Sequence, residues 1–239
     1  MISKNEVKYI QSLYQKKTRD KEKVFIAEGP KLTGELLKAG INIKKIYAVE
    51  SWAAAAVNIQ NITIVTQDEL NKLSNQQTPN QVVAVVQQPV VTTEPELVNT
   101  VSLVLDGIQD PGNMGTIIRI ADWFGIYQVI ASTDSTDIYN PKVVQATMGS
   151  LFRVKIWYKP IEEWLQHVSV DIYGAMLNGE NVLTGPKLSE GLLVIGSEGR
   201  GIRPAILPFI KRALTIPGRG AAESLNAAVA TGIILSHVL

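Results

Sequence analysis

Short apolar runs at 24–27, 44–49, 62–65 and 82–86 alternate with stretches of helical periodicity, a pattern that predicts four strands with helices between them. Pro30 stands where a helix would begin after "AEG", and Thr66 with Glu69 has the spacing of a capping box for "TQDELNKL". A polar loop at 74–81 leads into the last of these strands. Residues 87–100, "QQPVVTTEPELVNT", carry two prolines and few core-like positions, and read as a linker. The chain is therefore expected to divide into 1–97, a small α/β unit, and 98–239.

Beyond the linker, apolar runs recur at 101–106, 127–132, 170–177, 192–196 and 213–217, again with helical stretches between them. Near-continuous apolar strands in βα alternation imply an α/β domain whose parallel sheet is covered on both faces. Ligands of such sheets bind outside the carboxyl ends of the strands, so the loops that follow the strands are where chemistry is expected.

A chain of 239 residues with 46% hydrophobic and 19% charged positions has the composition of a globular protein with a sizeable core. No apolar run approaches the roughly 20 residues of a membrane span, and the opening "MISKNEVKYIQ" lacks the apolar core of a secretory signal. A cytoplasmic location is expected, and the absence of cysteine fits it while removing thiolate and disulfide chemistry. The net charge of +1 hides an asymmetry. Residues 1–45 hold eleven Lys/Arg against five Asp/Glu, which leaves 12 against 17 in the remainder. The segment "YQKKTRDKEK" at 14–23 reads equally as a phosphate-contacting stretch and as a solvated charged turn.

Three strand-end loops carry polar groups. In "DPGNMGTIIRIADWFG" (110–125), Asp110, Pro111 and Gly112 form turns, Asn113 is expected to cap a helix starting at Met114, and Gly125 ends it. Ile117, Ile120, Ala121 and Phe124 share the expected core face, and Arg119 lies opposite, either as a solvated cation paired with Asp122 or as a functional group. The second loop, "LLVIGSEGRGI" (192–202), sets Glu198 among Gly196, Gly199 and Gly201, and matches neither a dinucleotide fingerprint nor a P-loop nor a nucleophile elbow. In the third, "IPGRGAAESLNAAVATGIIL" (216–235), Glu223 or Ser224 opens a helix with Leu225, Ala228, Val229, Gly232 and Ile233 on its packed face, while Asn226 lacks a structural reason.

In this order and at these separations, the three segments resemble the signature motifs of the SpoU (TrmH-type) branch of the SPOUT methyltransferases. The segment "FIAEGPKLTGELLKAG" (25–40) resembles the ribosomal-protein-like substrate-binding domain that many members carry. Two positions depart from the family pattern: Gly218 stands where members often have Met, and Ala227 and Ala228 where they often have Val-Ser. The resemblance implies a parallel sheet tied into a trefoil knot, a homodimer, and S-adenosylmethionine as methyl donor to a ribose 2'-hydroxyl of RNA. Carried over by motif, Gly196, Ile216, Leu225 and, more weakly, Leu177 would line the cofactor pocket, while Asn113, Arg119, Glu198, Ser224 and Asn226 would form the polar active site.

A guanidinium grips phosphate through a planar fork of donors and holds its own proton tightly, so orientation and charge stabilisation suit Arg119 better than a base role. His167, read as part of a surface helix, and His237 fall outside all three motifs, so no metal and no histidine base are expected. The ribosomal-protein-like N-terminal part points to 23S-type ribosomal RNA as substrate. A transfer-RNA 2'-O-methyltransferase and a non-catalytic RNA-binding accessory protein are the alternatives.

Overall fold

The computed structural model describes residues 2–56, 59–185 and 187–239. These residues form two compact units, 2–90 with 137–152, and 91–136 with 153–239.

The first unit begins with α1 (Lys4–Ser12) and α2 (Lys16–Glu22), then runs β1 (Val24–Glu28), α3 (Pro30–Lys38), β2 (Ile43–Ala48), α4 (Glu50–Ala55), β3 (Ile62–Ile64), α5 (Gln67–Leu73) and β4 (Val82–Gln87). Its four strands lie in the order β1-β4-β2-β3, antiparallel except for the β2–β3 pair. The capping box at α5 forms as expected: the Thr66 hydroxyl accepts from the Glu69 amide, and the Glu69 carboxylate accepts from the Thr66 amide. Ile10, Leu13, Val24, Ile26, Leu70, Leu73, Val83 and Val85 pack into one core.

Arg19 departs from the sequence reading. Within the basic segment it turns inward, almost wholly buried, and pairs with Asp137 at 2.6 Å while donating to the carbonyls of Leu13 and Tyr14. The exposed cations of that segment are Lys16, Lys17, Lys21 and Lys23.

The second unit contains β5 (Val101–Asp106), α6 (Pro111–Trp123) and β6 (Gln128–Ser132). The chain then gives α7 (Pro141–Thr147) to the first unit, where Phe25 stacks on Tyr139 and Phe152. It returns with β7 (Lys155–Lys159), α8 (Ile161–Leu165), β8 (Ile172–Asn181), β9 (Gly191–Gly196), β10 (Arg212–Thr215) and α9 (Ala227–Val238). All six strands are parallel, in the order β10-β8-β9-β5-β6-β7.

The parallel sheet matches the expected fold, with one strand more than the apolar runs showed. Strand β7, "KIWYK", lies at the sheet edge with lysines at both ends, a composition that blunts an edge and hides the strand from an apolar-run search. His167 lies in the turn after α8 rather than in a helix. From β5 the chain moves outward through β6 and β7, whereas β9, β8 and β10 occupy the other side. The β5–β9 boundary is therefore the switch point of the sheet, and Asp106 and Gly196 are paired there at the two strand ends.

Candidate active site at the β5–β9 switch point

After β5, Asp110 rather than Asn113 caps α6. Its carboxylate accepts from the Asn113 amide at 2.8 Å, and Pro111 occupies the first helical turn, where a missing N–H costs nothing. The helix thus starts earlier than expected, and the Asn113 side chain is released from capping. Gly125, at φ +72°, ends α6 in the expected way, with the Ile126 amide donating to the Ala121 carbonyl. The buried face is Met114, Gly115, Ile117, Ile118 and Ala121, with Ile120 and Phe124 half-buried.

The turn after β9 is closed by two backbone bonds between Ser197 and Gly201, at 2.8 and 3.1 Å, and Glu198 is exposed on it. A Cβ on Gly196 would stand 2.1 Å from the Gly201 carbonyl carbon and 2.3 Å from the Ile202 nitrogen. Glycine is thus demanded here by the turn's own backbone. Asp106, its side chain wholly buried, anchors the far end of the turn by accepting from the Arg203 amide at 2.7 Å and from its guanidinium.

The third segment corrects the sequence reading twice. Helix α9 starts at Ala227, and its cap is Asn226, whose Oδ1 accepts from the amides of Ala228 and Val229 at 3.0 and 3.2 Å. Asn226 therefore has a structural role that the sequence did not show, and Ser224, exposed in the loop before it, is not the cap. The buried face of α9 is Ala227, Ala228, Thr231, Ile234, Leu235 and Val238, while Leu225 and Val229 are exposed.

The Asn226 side-chain amide reaches away from its own helix. It donates to Glu198 Oε1 at 2.8 Å and to Asn113 Oδ1 at 2.9 Å, and the Asn113 amide also donates to Glu198 Oε1. Three of the five polar candidates thus meet in one network at the switch point. Both amides converge on Oε1, and Oε2 takes no hydrogen bond from the described residues.

Beside the network lies a cavity of about 290 Å3 that Asn113 and Glu198 help to line, together with Asp106, Gln109, Asp110, Asp134, Arg200 and Arg203. Asp134 follows β6. The Ser132 hydroxyl, and then Arg203 and Arg200, hold its carboxyl below the usual range against a smaller opposing effect of burial. Asp106, Asp134 and Arg203 were missed in the sequence, although one signal was present: Asp106 is the lone charge closing an otherwise apolar strand.

Arg119 is exposed on α6, outside the Asn113–Glu198–Asn226 network. The Asp122 partner that a solvated arginine would use is taken by Arg153, at 2.8 Å. One turn of α6 beyond Arg119, Trp123 is 85% exposed.

The four cofactor candidates lie outside the cavity lining. Leu177 is not at the end of its strand but within β8, where pairing with β10 jumps from Gly174 to Glu180, and its carbonyl accepts from the Thr215 hydroxyl at 2.9 Å. This bond ties the bulge to the residue before Ile216. Leu177 and Leu225 are 72% and 47% exposed, and a Cβ on Gly218 or Gly220 would meet nothing within 4 Å. These exposed apolar side chains and the open loop backbone are compatible in chemistry with the adenine ring of an adenosyl cofactor. Among the described residues no group of three or more His, Asp or Glu is placed to hold a metal ion.

A family model described as the SpoU rRNA Methylase family matches residues 100–236, and another described as an MRM3-like substrate binding domain matches residues 4–84. The 23S rRNA (guanosine(2553)-2'-O)-methyltransferase RlmP of Bacillus subtilis (strain 168) is 31% identical over 244 residues, covering 99% of this chain and 97% of that protein. A TrmH-family structure from Porphyromonas gingivalis is 39% identical with a TM-score of 0.87, covering 99% of this chain and 98% of the other. The AdoMet-bound rRNA methyltransferase from Sinorhizobium meliloti is 31% identical with a TM-score of 0.86, covering 100% and 96%.

Proposed function

This chain belongs to the SpoU rRNA Methylase family, and from that membership we propose that it transfers a methyl group from S-adenosylmethionine to a ribose 2'-hydroxyl of 23S-type ribosomal RNA. The observation that carries the reading is the Asn113–Glu198–Asn226 network, which joins all three signature segments at the switch point. When bound, S-adenosylmethionine would supply an electrophilic sulfonium methyl group and would leave as S-adenosylhomocysteine.

The chain's own residues hold the two substrates and manage one proton. Leu177, Ile216, Leu225 and the backbone of Gly196 would hold the cofactor. Two amides fix Glu198 through Oε1, so Oε2 accepts the hydrogen bond of the 2'-hydroxyl and draws its proton away as the new O–C bond forms. Arg119 grips RNA phosphate through its fork of donors, and Ser224 completes the polar set from the loop before α9.

The functional division is 1–97 for RNA binding and 98–239 for methyl transfer. The MRM3-like match at 4–84 and the exposed lysines of α2 support the first part. The second carries the trefoil knot of its family, a proposal supported by the passage of the chain from β9 to β10 on the far side of β8. The working form is a homodimer, supported by the apolar side chains that α6 and α9 leave bare at Trp123 and Val229. The setting is the cytoplasm, where ribosomal RNA is met, and no helix among the described residues is long and apolar enough to cross a membrane.

Incubation with methyl-labelled S-adenosylmethionine and separated 23S, 16S and transfer RNA, followed by mapping, tests the reaction. A single labelled ribose in 23S RNA is expected. Label confined to transfer RNA would favour the sister activity, and cofactor binding with no label in any RNA would favour a non-catalytic accessory.

A further inference from the structure

Resting on that methyltransferase reading, we propose that the cavity beside Asn113 and Glu198 receives the base of the target nucleotide, and that Asp134 reads it as guanine. The cavity shares Asn113 and Glu198 with the network that meets the ribose, so a nucleotide presenting its 2'-hydroxyl there has its base within reach of the cavity. At about 290 Å3 it falls at the small end of ligand sites, about 300–1,000 Å3, which suits one unstacked base and excludes a length of RNA.

The charges of the lining decide which part of a nucleotide enters. Asp106, Asp110, Asp134 and Glu198 face only Arg200 and Arg203, so a phosphate would meet net repulsion, whereas a base edge rich in N–H donors would be welcomed. The other carboxylates have work elsewhere: both Asp106 oxygens are occupied by Arg203, Asp110 is tied to the first turn of α6 through Oδ1, and Glu198 is held by two amides through Oε1 and gives Oε2 to the 2'-hydroxyl.

Asp134 remains. Its Arg203 contact is long, at 3.5 Å, its side chain is half exposed, and a carboxylate offers about four acceptor sites, more than Ser132 and Arg203 fill. Its Oδ2 lies 3.8 Å from where a Cβ on Gly107 would stand, so the absence of a side chain there leaves the approach to the carboxylate open. Of the four bases, only guanine sets two adjacent donors, N1–H and the 2-amino group, toward a carboxylate that can accept both. Arg200, on the cavity wall, supplies a donor for O6.

The test uses the full chain and a 23S RNA fragment containing the mapped target, with that nucleotide as guanosine, inosine, adenosine, cytidine or uridine. Inosine removes only the 2-amino group. The wild-type protein is expected to favour guanosine over inosine in kcat/KM by about tenfold or more. Asp134→Asn and Asp134→Ala are expected to lose rate on guanosine RNA and to bring the guanosine-to-inosine ratio close to one. A purely structural role for Asp134 would lower both rates together and keep the ratio, which would overturn the assignment, as would a mapped target that is not guanosine. Absence of methyl transfer to any RNA would instead remove the reaction itself, a failure distinct from transfer to the wrong base.

Discussion

Asn226 combines two roles that one substitution usually confounds. Its Oδ1 caps α9 and its Nδ2 holds Glu198 and Asn113, so Asn226→Ser keeps a capping oxygen but removes the longer-reaching amide, while Asn226→Ala removes both. Serine should leave the thermal midpoint close to wild type, and alanine should cost about 1 kcal/mol through the lost cap. Both should lose most methyl transfer. Serine variants with normal turnover in a labelled-RNA assay would show that the amide holding Glu198 is dispensable. Asp134 has a pH signature: its carboxyl is held below the usual range, first by the Ser132 hydroxyl. A lowered folded value means that its stabilising contribution is complete above the unfolded value of about 3.9 and is lost as pH falls through the folded one. The guanosine-to-inosine ratio should therefore stay constant between about pH 8 and 5 and collapse only in stronger acid. A loss of discrimination between about pH 8 and 6 would place the reading on another group.

At the scale of elements, the turn after β9 makes a structural demand on Gly196 that is separate from its proposed place in the cofactor pocket. A glycine that only lined a pocket would tolerate a bulky replacement with the fold intact, yet even one Cβ on Gly196 collides with the Gly201–Ile202 backbone. Gly196→Ala should therefore destabilise by about 1–3 kcal/mol, as overpacking does, and should take the Glu198 turn with it. Leu225→Asp and Leu177→Asp are the cleaner probes, since both side chains are exposed and their replacement disturbs no core packing. Each should weaken S-adenosylhomocysteine binding in calorimetry about tenfold or more with the midpoint nearly unchanged, because a charge replaces the apolar surface proposed to pack on the adenine ring and thioether chain. Unchanged affinity in both would move the cofactor elsewhere. The same contrast explains what could be read in the sequence. Apolar runs and caps such as Thr66 and Gly125 are local signals, and they locate nine of the ten strands among the described residues and the α5 capping box. The caps at Asp110 and Asn226 are also local, made with amides two or three residues on, but neighbouring candidates of the same chemistry, Asn113 in one segment and Ser224 in the other, compete for them in the sequence, while the edge strand β7 is hidden by its lysine ends. The meeting of Asn113, Glu198 and Asn226 follows only from the family resemblance, since no spacing relates residues 113 and 226.

The whole molecule changes how RNA binding should be tested. A chain cut near Val98 would separate the two halves by sequence, but residues 137–152 belong to the first compact unit and would be left without Phe25 and Arg19 as partners. Charge removal in the full chain avoids this damage: Lys16, Lys17, Lys21 and Lys23 are exposed, and Arg19 should be spared because it is buried with Asp137. Replacing the four lysines with Gln should weaken RNA binding and make log affinity against log salt shallower by about 0.7–0.9 for each phosphate no longer neutralised, with cofactor affinity unaltered. An unchanged slope would take α2 out of the RNA surface. Arg119 supplies the corresponding test of assembly. It is exposed on α6, outside the Asn113–Glu198–Asn226 network and with Asp122 given to Arg153, so its fork is available to a site completed by a second copy. Arg119→Ala, and also Arg119→Lys with its charge but no fork, should lose most methyl transfer and keep cofactor binding. In a symmetric dimer, mixing Arg119→Ala with Leu225→Asp chains gives half heterodimers, and, at a cofactor concentration too low to fill the weakened Leu225→Asp pocket, each has one working site only if the arginine reaches across the interface. About a quarter of wild-type activity should then return if the arginine acts across the interface, and none if it acts within its own chain. Full activity in the Arg119→Ala homodimer would return this arginine to an ordinary solvated helix face.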